Sequence, residues 1–117
     1  MRRIAFFPGS FDPITKGHED IVRRALPMFD RIIVALGVNS SKNEMFPLEQ
    51  KQNWIEKTFS DCASVEVINF KGLTIEACKK HQAKFILRGL RDSNDYEYEK
   101  SIAIMNQAME PSIETIY

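Results

Sequence analysis

The sequence predicts a single α/β domain built on a doubly wound parallel sheet, and three features predict it. Short β-rich runs alternate with helical patterns along the whole chain. Runs such as Ile32-Ile33-Val34-Ala35-Leu36 are continuously apolar, which suits strands covered on both faces. Polar residues able to do chemistry cluster just after several runs, where open parallel sheets form their ligand crevice.

The strands are expected at Arg3–Phe7, Arg31–Val38, Val65–Phe70, Lys84–Arg88 and Ile113–Tyr117, with helices near 17–28, 48–60, 73–82 and 94–108. The first helix carries Ile21, Val22, Ala25, Leu26 and Phe29 on one stripe. Pro27 lacks an N–H and clashes one turn back, so this helix should kink or end near Leu26. Pro47 fits the first turn of the second helix, whose apolar face is Leu48, Ile55 and Phe59. Asn94 and Glu97 have capping-box spacing at the start of the fourth helix. Its Tyr98, Ile102, Met105 and Met109 read as a core stripe.

The bulk composition narrows the function. The chain has 117 residues, 44% hydrophobic and 27% charged, and Lys+Arg and Asp+Glu balance at 16 each. One core suffices for this length. A neutral balance disfavours nucleic acid, whereas a small anion needs only a local cluster of cations. No apolar run approaches the ~20 residues of a membrane span. Pro8-Gly9 cuts the run after Met1-Arg2-Arg3 short of a signal h-region, so the reading is a buried first strand and a cytoplasmic protein. Cys62 and Cys78 then read as reduced packing residues.

The segment Ser10-Phe11-Asp12-Pro13-Ile14-Thr15-Lys16-Gly17-His18 links the first strand to the first helix. It places an imidazole where helix N–H groups are unpaired and the dipole favours an anion. Ser40, Ser41 and Lys42 follow the second strand, Lys71-Gly72-Leu73-Thr74 the third, and Arg88-Gly89-Leu90-Arg91-Asp92 the fourth. Loops after parallel strands open on one sheet edge, so His18, Lys42, Arg88 and Arg91 can converge on a polyanion. Alone, His18 also fits a helix-start residue satisfied by a carbonyl, and Lys42 a solvated lysine. The two arginines flanking Gly89 fit an anion clamp. Cys78 and His81 lie three apart on a helix, but no second ligand pair exists, so no protein-bound metal is expected. Nucleophile-elbow, P-loop and dinucleotide glycine motifs are absent.

Thr15-Lys16-Gly17-His18 resembles the (T/H)-x-G-H signature of the nucleotidyltransferase superfamily. With Gly9-Ser10-Phe11-Asp12-Pro13-Ile14, Met45-Phe46-Pro47-Leu48-Glu49, Arg88-Gly89-Leu90-Arg91 and Asp95-Tyr96-Glu97-Tyr98-Glu99, the chain resembles bacterial phosphopantetheine adenylyltransferases from its first strand to Tyr117. The resemblance implies a Rossmann-like nucleotidyltransferase fold. It also implies adenylyl transfer from ATP to 4′-phosphopantetheine, giving 3′-dephospho-coenzyme A and pyrophosphate, with magnesium. Carried over by position, His18, Lys42 and Arg88 would be catalytic. Ser10, Lys42, Thr74 and Arg88 would bind phosphopantetheine, and Ser10, Phe11, His18, Gly89, Leu90, Arg91 and Glu99 the ATP. Ser10 stands where the family usually has threonine and keeps the hydroxyl.

The family continues with a further strand and helix carrying a serine-rich motif, so residues 1–117 are expected to be a nucleotidyltransferase domain lacking that C-terminal segment. The resemblance further implies coenzyme A as a ligand and a homo-oligomer, typically a hexamer. Two other readings stay open: a fragment that binds phosphopantetheine or coenzyme A without turnover, and another adenylyl- or cytidylyltransferase. A piece of a class I aminoacyl-tRNA synthetase would share the signature but fits poorly with zero net charge.

Overall fold

The computed structural model describes residues 2–38, 45–89 and 93–117, the side chains of 93–99 excepted. In chain order the elements are β1 (Ile4–Gly9), α1 (Lys16–Ala25), a 3₁₀ turn (Leu26–Met28), β2 (Arg31–Gly37), α2 (Leu48–Thr58) and β3 (Val65–Phe70). They continue with α3 (Thr74–Lys80), β4 (Phe85–Leu87), α4 (Ser93–Met109) and β5 (Glu114–Ile116). The five strands form one sheet in the order β3-β2-β1-β4-β5, and every adjacent pair is parallel.

Period-two alternation along the central strands divides the core. Ala5, Phe7, Ile32, Val34 and Leu36 face one side, packed with Val22 and Ala25 of α1 and Ile55 of α2. Ile4, Phe6, Ile33 and Ala35 face the other, packed with Ile75, Ala77 and Cys78 of α3. The apolar runs are therefore continuous because alternate residues serve opposite layers. No helix of the described residues is long and apolar enough to cross a membrane.

Several elements depart from expectation. β1 runs on through Pro8 and Gly9, paired with Ala35 and Leu36. Pairing of β1 with β4 covers Ala5 and Phe6, and the Pro8 carbonyl instead accepts from Arg88 Nη1 at 2.8 Å. The missing proline N–H thus falls past the end of that ladder, where no donor is required. β3 lies at the sheet edge and is only partly buried, with Glu66 and Asn69 interrupting its apolar run. β4 is three residues long. Pro47 is the N-cap of α2, one position before the first turn. Ser93 is already helical, so Asn94 is not the N-cap of α4. As the sequence predicts, α1 stops at Ala25, and Pro27 sits in the 3₁₀ turn that follows.

Candidate active site at the switch point of the sheet

From β1 the chain steps outward to β2 and β3, then returns to place β4 on the other side of β1. The two halves diverge between the carboxyl ends of β1 and β4, where an open α/β sheet leaves a crevice. A cleft of about 630 Å³ lies there. Its walls include Ser10, Phe11, Thr15, Gly17 and His18 from the loop and helix after β1, and Arg88 and Gly89 from the end of β4.

Thr15 is the N-cap of α1 and adopts extended backbone. Its hydroxyl accepts from the His18 N–H at 3.3 Å, and His18 Nδ1 accepts from the Thr15 N–H at 3.0 Å. This is a reciprocal capping box in which histidine takes the place usual for Glu or Gln. A ring nitrogen that accepts from a main-chain N–H carries no proton, so the neutral ring holds its proton on Nε2. Burial of the ring, and after it the positive charge of Arg88, push the His18 pKa below its ordinary 6.5. At neutral pH His18 is therefore a neutral Nε2–H donor with a fixed orientation.

The ring is also held by packing. Phe11 stands edge-on to His18 with centroids 4.9 Å apart, and Phe7 contacts it at 6.2 Å. Phe11 is buried, and its backbone sits in the left-handed region at φ 43°. Gly9 makes room for it, because a Cβ at Gly9 would lie 3.1 Å from the Phe11 ring. A Cβ at Gly89 would meet the tip of the Ile21 side chain on α1, which would have to turn aside.

Two further contacts tie the loop after β1 to α2 and to the segment just before it, and the sequence reading missed both. The Asp12 carboxylate accepts from the N–H groups of Met45 and Phe46 at 2.6 and 3.0 Å. Lys51, fully buried on α2, donates from Nζ to the Ser10 carbonyl at 3.1 Å. One signal did exist. Lys51 stands three residues after Leu48 and four before Ile55, on the apolar stripe of its helix.

The structure thus brings together Ser10, Phe11, His18, Arg88 and Gly89. Thr74, the first residue of α3, is not among the residues lining this cleft. It follows edge strand β3, two strands from β1, or roughly 10 Å away at normal strand spacing. Lys42, Leu90 and Arg91 lie outside the described residues, as does the side chain of Glu99. Among the described residues, no cluster of three or more His, Cys, Asp or Glu could hold a metal ion. Cys78 is a buried packing residue whose thiol is pushed up to about 12 by desolvation.

A parallel sheet with a histidine-capped helix at its switch point defines a nucleotidyltransferase-type protein, and residues 6–114 match the cytidylyltransferase-like family. A solved bifunctional NMN adenylyltransferase/ADP ribose pyrophosphatase from Francisella tularensis shares the fold, with a TM-score of 0.73 and 22% identity. That match covers 99% of this chain and 37% of the other. Phosphopantetheine adenylyltransferase of Flavobacterium johnsoniae is 54% identical over 115 residues, covering 98% of this chain and 75% of the relative. The Flavobacterium psychrophilum protein of the same name is 55% identical, covering 98% and 76%. The chain belongs to the phosphopantetheine adenylyltransferase family.

Proposed function

We propose that the chain transfers the adenylyl group of ATP to 4′-phosphopantetheine, giving 3′-dephospho-coenzyme A and pyrophosphate, a step of coenzyme A synthesis. The observation that carries the proposal is the His18 ring at the switch point, locked as a neutral Nε2–H donor by Thr15 and set beside Arg88. Family membership supplies the substrates.

In the proposed reaction a phosphate oxygen of phosphopantetheine attacks the α-phosphorus of ATP in line. The new P–O bond forms as the bond to the bridging oxygen breaks, and pyrophosphate leaves with that electron pair. No enzyme nucleophile takes part. Two anions must approach, so the protein's task is to orient them and offset their repulsion. Arg88 contributes fixed positive charge, anchored by its bond to the Pro8 carbonyl. His18 donates through Nε2–H to charge that develops on the phosphoryl oxygens. A neutral donor suits this role, since no proton need leave it.

Lys42 and Thr74 complete the proposed phosphopantetheine site with Ser10 and Arg88. Phe11, Gly89, Leu90, Arg91 and Glu99 complete the proposed ATP site with Ser10 and His18. Asp12 and Asp20 line the cleft, and both Asp12 oxygens are taken by main-chain N–H groups. Such a donor set fits magnesium that arrives on the nucleotide's own phosphates rather than in a protein cage. When bound, the ion neutralises the polyphosphate tail.

We read residues 1–117 as one nucleotidyltransferase domain, acting in the cytoplasm as a homo-oligomer, the family hexamer. Light scattering reads that state directly. A pyrophosphate-release assay tests the activity with ATP or CTP against a panel of acceptor phosphates. Release confined to ATP with 4′-phosphopantetheine supports the proposal. Release with another pair identifies a different transferase. Calorimetric binding of phosphopantetheine without release identifies a binding-only protein.

A further inference from the structure

We infer that Lys51 is a positioning residue for the adenylyl-transfer site. It would act through the Ser10–Phe11 backbone to fix the His18 ring, an inference that rests on the proposed function. Placing a lysine head group inside a fold costs free energy that must be offset by bonding there. Lys51 is the one fully buried charged side chain among the described residues, and its ammonium bonds to a main-chain oxygen of the loop that lines the cleft.

The loop needs such a hold. Phe11 keeps a left-handed backbone at φ 43°, a conformation that is unfavourable for a non-glycine residue and persists only where the surroundings enforce it. The grips flank that residue on either side. Lys51 holds the carbonyl of Ser10, and the Met45 and Phe46 N–H groups hold the carboxylate of Asp12. Between them Phe11 presents the edge-on ring contact that orients His18 at 4.9 Å. Releasing the Ser10 carbonyl lets Phe11 relax toward ordinary backbone angles, and its ring then shifts against the imidazole. Because α2 carries the ammonium, the site after β1 is braced by an element more than forty residues away in sequence.

The test compares the parent chain with Lys51→Met, Lys51→Gln and Lys51→Arg, each checked for folding by circular dichroism. Kinetics are read by pyrophosphate release, and the His18 ring by its ¹H and ¹⁵N resonances. Misplacement of a catalytic group by ~1 Å can cost up to about 100-fold, so Lys51→Met should lower kcat by roughly 10–100-fold. KM for ATP should change by less than about threefold, and the His18 ring resonances should shift. Lys51→Arg, which restores a cationic donor, should recover most of kcat and the parent resonances. If Lys51→Met is unfolded, Lys51→Gln carries the same expectations.

Unchanged kcat and unchanged His18 resonances in a folded variant overturn the inference. So does a loss that Arg does not recover, or failure of both Met and Gln variants to fold, which would make Lys51 a folding residue. A parent chain that releases no pyrophosphate refutes the proposed function instead. The His18 resonances still decide the role of Lys51 in that case.

Discussion

Replacing His18 by alanine removes two contributions that one ring makes. The first is the acceptor that satisfies the Thr15 N–H, half of a capping box. Losing a cap of this kind destabilises by about 0.5–2 kcal/mol, a fraction of the ~5–15 kcal/mol of a typical domain, so the variant stays folded. The second is the Nε2–H donor in the cleft. Loss of one preorganised donor costs roughly 10²–10³ in kcat, or about 2.7–4 kcal/mol of transition-state stabilisation. Thr15→Ala separates the two. It deletes the hydroxyl that accepts from the His18 N–H but keeps the main-chain N–H that fixes Nδ1. It should lower Tm about as much as His18→Ala while reducing kcat by less than about tenfold, since the donor remains. Steady-state pyrophosphate release beside thermal melts of both variants reads the difference. If folded His18→Ala keeps parent kcat, or if Thr15→Ala is as slow as His18→Ala, the assignment of Nε2–H as the catalytic donor is refuted.

Three other outcomes follow from single contacts. Gly9→Ala brings a methyl within 3.1 Å of the Phe11 ring, which must shift against His18, so kcat should fall with a loss of stability of about 1–3 kcal/mol; unchanged kinetics would show that the Phe11–His18 contact is dispensable. The folded His18 pKa lies below 6.5. As pH falls, the unfolded chain takes up this proton first, so stability present above pH 6.5 is lost from there down through the folded value. Urea melts should show that loss in the parent and not in His18→Asn, and parallel pH profiles would contradict it. Cys78, buried with its pKa near 12, should resist a thiol reagent at pH 8 until the chain is unfolded in urea.

Local signals carried much of the fold. The apolar periods of β1 and β2 mark residues that alternate between two layers, and Pro27 stops α1 where its missing N–H requires. The loop from Ser10 to His18 was legible because its chemistry is contiguous. What escaped depends on partners distant in sequence. Pro8 looked like the end of a strand, yet it continues β1 because β4 is short and Arg88 takes its carbonyl. Val65–Phe70 read as a covered strand, but nothing local says that β3 closes the sheet edge. Lys51, within Glu49-Gln50-Lys51-Gln52, has the composition of a solvated turn. Only its place on the Leu48–Ile55 stripe marks it, and only the fold reveals Ser10 beneath it. Asp12 was read as part of a motif, whereas its physical work is to accept two main-chain N–H groups more than thirty residues away.

Product identity and stoichiometry test the central proposal most directly. The folded chain is incubated with ATP, magnesium and 4′-phosphopantetheine, and the mixture is resolved by mass spectrometry with pyrophosphate quantified in parallel. Proposed adenylyl transfer predicts 3′-dephospho-coenzyme A and pyrophosphate in equal amounts, both abolished when phosphopantetheine is omitted. Orthophosphate and ADP in their place, or no product from a chain shown to bind both substrates, would contradict it.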